Sequence, residues 1–210
     1  MNKSLLTAAV LSVFAFSSCT SKSSENQKTA TAAAEQHENM DMGNMQETPA
    51  TEVVKTPAYG DVAEPFKTQV SQLLEEYLQL KDALVASDAA AAKKAAEDVL
   101  AVANALPEAT LTGDQKQFAE EKIAQVKETA TKIAAATDVE VQRQSLEPLS
   151  EATFAMTKAF DASNQTLYYQ HCPMANNNEG AYWVSASEEI RNPYLGDRML
   201  TCGSNEEVLR

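Results

Sequence analysis

Glycine is scarce in this sequence, with six residues at positions 43, 60, 113, 180, 196 and 203. No two are spaced as a phosphate-cradling or dinucleotide-binding loop requires. Histidine is scarcer: His37 and His171 are the only two, so most His-based acid–base and nucleophile constellations cannot be assembled. Three cysteines are too few for a disulfide framework. Basic residues are outnumbered, 17 Lys and Arg against 30 Asp and Glu, and the net charge of −13 argues against nucleic acid, whose phosphates need a basic surface. The same excess keeps a protein soluble and concentrates cations near it. With no general acid–base pair, activated nucleophile or cofactor loop in view, the chain reads as a non-enzyme.

What is present begins with an export signal over residues 1–18. Lys3 supplies a short positive region, and Leu5 to Phe16 is apolar or small and uncharged. That run is too short for a comfortable membrane span. It ends in Phe16-Ser17-Ser18-Cys19, which resembles the bacterial lipoprotein processing box apart from Phe16 at its first position. The resemblance implies that Cys19 becomes the mature N-terminus and carries acyl chains, each buried methylene contributing about 0.8 kcal/mol to membrane anchoring. The expected location is the periplasm, on the envelope membrane. An ordinary signal peptide with an incidental cysteine is the alternative.

Residues 19–61 read as a disordered tether. From 20 to 58 there is no aromatic residue, and Ser, Thr, Ala, Glu, Gln and Asn abound, too little apolar surface to offset chain entropy. One island interrupts it: His37, Met40, Met42 and Met45 within nine residues. A thioether in a solvated linker covers nothing, but it is a soft ligand of the kind Cu(I) and Ag(I) prefer. A chance cluster in a biased segment is the bland reading.

Residues 62–163 predict four helices. The apolar seams are Phe66, Val70, Leu73, Tyr77, Leu80 and Leu84 in a helix over about 64–86; Ala92, Ala96, Val99, Ala103 and Leu106 over about 88–106; Ala119, Ile123, Val126, Ala130 and Ile133 over about 114–136; and Leu146, Leu149, Thr153, Met156 and Phe160 over about 138–162. Steps of three and four place each seam on one helix face. Ser87-Asp88 suits a cap, Thr112 to Gln115 and Thr137 to Glu140 have capping-box spacing, and Pro148 is expected to kink or split the fourth helix. The expected fold class is all-α, an antiparallel four-helix bundle, with no Glu-x-x-His pair for a di-iron centre. The outer charges read as solvated surface.

Residues 164–210 form an irregular, aromatic-rich cap. Tyr168, Tyr169, Tyr182, Trp183 and Tyr194 fall here, with Pro173, Pro193, Gly180, Gly196 and Gly203 as turn signals. Short strands are expected over 166–170 and 181–185. His171-Cys172-Pro173-Met174 and Met199-Leu-Thr-Cys202-Gly203 hold both unlipidated cysteines.

This tail resembles a known family: the periplasmic domain of unknown function found in exported lipoproteins of Gram-negative bacteria and appended to adaptor subunits of heavy-metal efflux pumps. The similarity runs roughly from Tyr59 to Gly203. It rests on Val141-Gln-Arg143, Leu149-Ser150, Cys172-Pro-Met174-Ala, Ala181-Tyr-Trp183, Arg191-Asn-Pro193-Tyr194-Leu-Gly196 and Met199-Leu-Thr-Cys202-Gly203. Leu195 stands where an aromatic is common in that family. The resemblance implies a helical domain linked to copper, silver or related metals, with an efflux adaptor or other envelope protein as partner, and implies no reaction.

Two readings of the cap stay open on the residues themselves. Two thiolates from Cys172 and Cys202, thioethers from Met174 and Met199 and the His171 imidazole suit Cu(I) or Ag(I), with Trp183 and the tyrosines as a shield. Alternatively, Cys172 and Cys202 form a structural disulfide in an oxidising compartment and the methionines pack as core, which makes the protein a helical interaction module without metal. Zinc fits less well because methionine does not complete its site. Thiol-redox catalysis fits less well still, since Cys172-Pro-Met-Ala lacks a second cysteine.

Overall fold

The computed structural model describes residues 52–210, which are mostly helical with a small three-stranded antiparallel sheet at the C-terminus. Helix α1 spans Glu64–Val85, with Pro65 in the first turn, where its missing N–H breaks no intrahelical bond. The chain turns at Ser87, whose φ is +56°, into α2, Ala89–Ala105. Asp88 caps α2 by accepting the N–H groups of Ala90 and Ala91 at 3.0 and 2.9 Å. Pro107 follows its end at Leu106, as the steric demand of proline on its predecessor requires. A 3₁₀ turn over Glu108–Thr110 leads to α3, Gly113–Ala135.

The capping boxes behave differently from expectation. Thr112 occupies the N-cap of α3 but makes no side-chain cap bond, because Gly113 enters the helix at φ +54° and the hydroxyl does not come over the first-turn N–H groups. At the next start the cap is Asp138, not Thr137. Its carboxylate accepts Glu140 and Val141 N–H at 2.8 and 3.1 Å. The fourth helix is split into α4, Val139–Arg143, and α5, Leu146–Ala159. Pro148 is the third residue of α5. It has no N–H for the Gln144 carbonyl, and its ring crowds that carbonyl, so α4 cannot run through.

Every seam residue named from the sequence is buried, most with no exposure at all. Helix α1 packs on α2 and α5, and α3 packs on the same two. The four long helices therefore close a ring, a packing compatible with a four-helix bundle. A chain of hydrogen bonds crosses the apolar interior: Tyr77 Oη lies 2.7 Å from Ser150 Oγ, Ser150 Oγ–H donates to the Leu146 carbonyl at 2.8 Å, and the Val184 N–H donates to Tyr77 Oη at 3.0 Å. This chain of bonds joins α1, α5 and the sheet.

The sheet has strand β1, Leu167–Cys172, at its centre, with β2, Ala181–Ser185, and β3, Ser204–Leu209, as antiparallel neighbours. The cap is thus not purely irregular, and β3 is a strand that composition did not suggest. The β1–β3 register shifts between Tyr169 and Gln170, a bulge in the ladder.

The last residues of the stretch read as tether, 52–61, run along the folded domain. Tyr59 stacks on Phe160 at 5.3 Å and meets Phe118 edge-on at 5.9 Å, and its N–H bonds the Ala159 carbonyl at 2.9 Å. Val53 and Val54 N–H donate to Glu207 Oε2 at 2.7 and 2.8 Å. Lys158 Nζ reaches Glu207 and Glu52 at 2.6 and 2.9 Å and the Val54 carbonyl at 2.7 Å. This strap is held mainly by polar bonds, which explains its unremarkable hydropathy.

Candidate functional site

The cap brings Cys172 and Cys202 together. Cys172 ends β1, paired with Ala181 of β2, and Cys202 stands just before β3. Their Sγ atoms are 2.7 Å apart. Two sulfurs bound to one tetrahedral ion at about 2.3 Å each would stand about 3.8 Å apart, and wider still for a linear ion. The observed separation leaves no room for a shared metal and fits a pair on the verge of a covalent bond. Cys172 is fully buried and Cys202 partly so. The Cys202 thiol is pushed above its ordinary range, first by its hydrogen bond with Cys172 and then by burial, with the Met174 backbone N–H opposing.

Trp183 stands on the Cys172 face of the sheet. It has no exposed surface and meets Tyr194 edge-on at 6.0 Å. Gly203 crosses it so closely that a Cβ there would lie 2.8 Å from the indole and 2.8 Å from the His171 carbonyl. Successive residues of a strand point to opposite faces. Cys172 therefore shares the Trp183 face, while His171 projects to the other side. There His171 packs on Tyr182 with ring centroids 4.3 Å apart and occupies the space left by Gly180, where a Cβ would lie 2.6 Å from Nε2. The structure thus does not gather His171 with the two cysteines. Met174 and Met199 are 45% and 39% exposed, so neither is core as the disulfide reading expected. Both touch Cys202 through the backbone: the Met174 N–H acts on its thiol, and the Met199 carbonyl accepts its N–H at 3.1 Å. Among the described residues no group of three or more His, Cys, Asp or Glu is arranged to hold a metal ion. Cys19, His37, Met40, Met42 and Met45 lie outside the described residues.

The other motif residues are joints between helices and cap. Arg143 is 4% exposed and uses its whole guanidinium. Nε donates to the Pro193 carbonyl at 2.7 Å, Nη2 to the Leu84 carbonyl and Ser87 Oγ at 2.8 Å each, and Nη1 to Glu140 at 2.6 Å. Gly196, at φ +52°, fits because a Cβ would stand 2.8 Å from Arg143 Nη2 and 2.7 Å from Ser87 Oγ. Asn192 Oδ1 accepts Tyr194 and Leu195 N–H at 2.8 and 3.0 Å, and its Nδ2 donates to the Cys202 carbonyl at 2.8 Å. The Arg191–Gly196 motif therefore clamps the Cys202 turn to the α1–α2 corner.

Sequence reasoning missed a second cluster. On the His171 face, four rings stack in series: Phe154 on Tyr169 at 4.7 Å, Tyr169 on Tyr182 at 5.0 Å, and Tyr182 on His171. Beside them Glu147 accepts the Tyr182 N–H at 3.2 Å and Asn176 Nδ2 at 3.4 Å. Burial pushes the Glu147 carboxyl above its ordinary range, against the pull of the Tyr182 N–H and His171. The hint in the sequence was one tyrosine in each of two expected strands; the register, Tyr169 opposite Val184 and His171 opposite Tyr182, makes Tyr169 and Tyr182 diagonal neighbours on one face.

No described helix is long and apolar enough to cross a membrane. Residues 73–165 match the family model described as protein of unknown function (DUF3347). The match takes in most of α1 through α5 and stops before β1, so the tail motifs lie beyond it. No curated protein and no solved structure matches the chain.

Proposed function

We propose that this is an exported lipoprotein, anchored in the periplasm through acylated Cys19, which presents a non-catalytic helical binding module to an envelope partner. Its helical part is an antiparallel four-helix bundle, and its cap is locked by a Cys172–Cys202 disulfide. The single observation that carries this reading is the 2.7 Å separation of the two sulfurs, with Trp183 completely buried on the Cys172 face of the sheet. The Arg143 and Asn192 clamps support it, since they fix the same turn from the helical side. Such a cap is preorganised, and preorganisation is what a docking surface gains from a cross-link. Thiol counting on protein isolated from the envelope tests the bond: no reactive Cys172 or Cys202 before reduction and two after it. Two reactive thiols in freshly isolated protein would overturn the reading.

One observation favours a second reading, soft-metal handling accessory to efflux or buffering. Met174 and Met199 are exposed at the rim of Cys202, where thioethers have no packing role. With the pair reduced, Cys172, Cys202 and the two methionines would offer Cu(I) or Ag(I) a soft donor set, separate from the His37–Met45 island. Anaerobic Cu(I) titration of the reduced full chain with Met40, Met42 and Met45 changed to leucine tests it. Tight one-to-one binding lost in Cys172→Ser supports metal handling, and absence of binding refutes a cap site.

A further inference from the structure

The two cysteines of the cap are placed unequally. Cys172 ends the central strand β1, opposite Ala181 of β2, and has no exposed surface. Cys202 lies in the turn before β3, is partly exposed, and has little protein packed around its sulfur. The main chain closes one approach to Cys172. A Cβ at Gly203 would already lie 2.8 Å from the His171 carbonyl, 2.8 Å from Trp183 and 3.2 Å from Ile190. The Cys202 turn is held without help from its sulfur. Its N–H donates to the Met199 carbonyl at 3.1 Å, and its carbonyl accepts Asn192 Nδ2 at 2.8 Å. The exposed sulfur thus keeps its place whether or not it is bonded to Cys172.

These positions decide how a bond between the two can be opened. A thiolate displaces one sulfur of a disulfide from the other, and access selects which sulfur is attacked. Attack on Cys202 starts from solvent. Attack on Cys172 would have to start inside a close-packed interior.

We propose that Cys202 is the exchange sulfur of the cap, the atom at which a dithiol opens the Cys172–Cys202 bond and a partner disulfide restores it. The proposal rests on the disulfide reading above. In opening, one thiolate of the dithiol attacks Cys202 Sγ. The bond to Cys172 breaks, Cys172 leaves with its electron pair and takes a proton from water, and a mixed disulfide stands on Cys202. The second thiolate of the dithiol attacks the sulfur of the first and displaces Cys202, which also takes a proton. Two electrons have then passed to the cap, and the dithiol departs as a disulfide. A monothiol stops halfway. Cys172 Sγ, 2.7 Å from Cys202 Sγ, attacks it and expels the monothiol, because a nucleophile already in place outcompetes one in solution. A dithiol is therefore the class of reductant that completes the exchange.

The test compares the full-length Cys172→Ser and Cys202→Ser chains in detergent, which lack the bond equally. Each is treated with 2-hydroxyethyl disulfide, an uncharged probe that the net charge of −13 does not repel, and adducts are located by peptide mass mapping. Cys202 of the first should react at least about tenfold faster than Cys172 of the second, the effect of a local opening that costs about 1.4 kcal/mol. Denaturing urea should bring the two rates together. Emission of Trp183, the only tryptophan, at the parent's wavelength shows that both caps are folded. The oxidised parent needs no substitution. After 2-mercaptoethanol and a rapid alkylating quench, any mercaptoethanol trapped should sit on Cys202 and the alkyl group on Cys172. Dithiothreitol should free both thiols at concentrations where mercaptoethanol leaves the bond closed. Equal rates in the folded variants, a mercaptoethanol adduct on Cys172 of the parent, or equal potency of the two reductants would overturn this inference and leave the bond standing. Two free thiols in the parent before any reductant would overturn the bond, and the inference with it.

Discussion

Arg143→Leu removes a side chain that holds three parts of the molecule at once. The guanidinium is the partner of the Leu84 carbonyl at the end of α1, of the Pro193 carbonyl in the cap and of Ser87 Oγ in the α1–α2 corner. Leucine fills part of the volume and satisfies none of them. The buried Pro193 carbonyl then stands without a donor, at about 1–3 kcal/mol, while the Leu84 carbonyl keeps the Ser87 N–H at 3.1 Å and loses one bond, about 1 kcal/mol. The Glu140 pair is a lesser loss, since that carboxylate is 52% exposed and keeps Arg198 at 3.1 Å. The total expected is about 2–4 kcal/mol, a large share of a domain's stability. Urea unfolding followed by circular dichroism measures it. The midpoint should fall strongly with little change in slope, because the folded state stays compact. Because the lost bonds anchor the Pro193 turn, Trp183 fluorescence should shift at lower urea than the helical signal. A loss below about 1 kcal/mol, or coincident unaltered transitions, would refute the clamp argument.

Cys172→Ser is expected to lower stability by about 3–4 kcal/mol in an oxidised sample, the chain-entropy value for a loop of this length, and by far less in a reduced one; differential denaturation with and without reductant reads this. Gly196→Ala forces a Cβ to 2.7 Å from Ser87 Oγ at φ +52°, and thermal melting should show a loss of at least about 1–2 kcal/mol from the backbone conformation alone. For Glu147, burial raises the carboxyl above 4.5 in the folded chain, so the folded state holds its proton to higher pH than the unfolded one. Stability should therefore fall as pH rises from 4.5 through the folded value, and Glu147→Gln should flatten that part of a stability–pH curve. An unaltered curve would show that the group is not titrating in this window.

The helical seams were legible because each covers several turns at one period, and Phe66 through Leu84 or Leu146 through Phe160 bury without exception. The split at Gln144 was legible from Pro148. The capping details were not: whether Thr137 or Asp138 takes the cap depends on where the backbone leaves extended geometry, and threonine and aspartate are both competent. Strand β3 reads Ser-Asn-Glu-Glu-Val-Leu and shows no apolar alternation. Glu207 is buried there because Lys158 and two N–H groups from the strap meet it, partners 49 and 153 or more residues away. The convergence of Cys172 and Cys202 was expected from chain closure, but the separation of His171 from them follows from strand alternation continuing through residue 172. The Glu147–Tyr169 cluster was invisible beyond its tyrosines because its members come from α5 and two strands.

The strap decides how the domain bears a load. A pull on residue 52 from the amino-terminal side does not reach α1 first. It is taken up by Glu207 of the terminal strand, by Lys158 near the end of α5 and then by Tyr59 wedged on Phe160. Glu207 accepts two adjacent backbone N–H groups with one oxygen and the Lys158 ammonium with the other, so the three bonds share the tension and fail together. The first residue to carry force and one of the last in the chain are thus one mechanical unit. Shortening the carboxyl end by its final strand would leave Lys158 alone to hold Glu52 and the Val54 carbonyl ahead of Tyr59, and would slacken the leading segment.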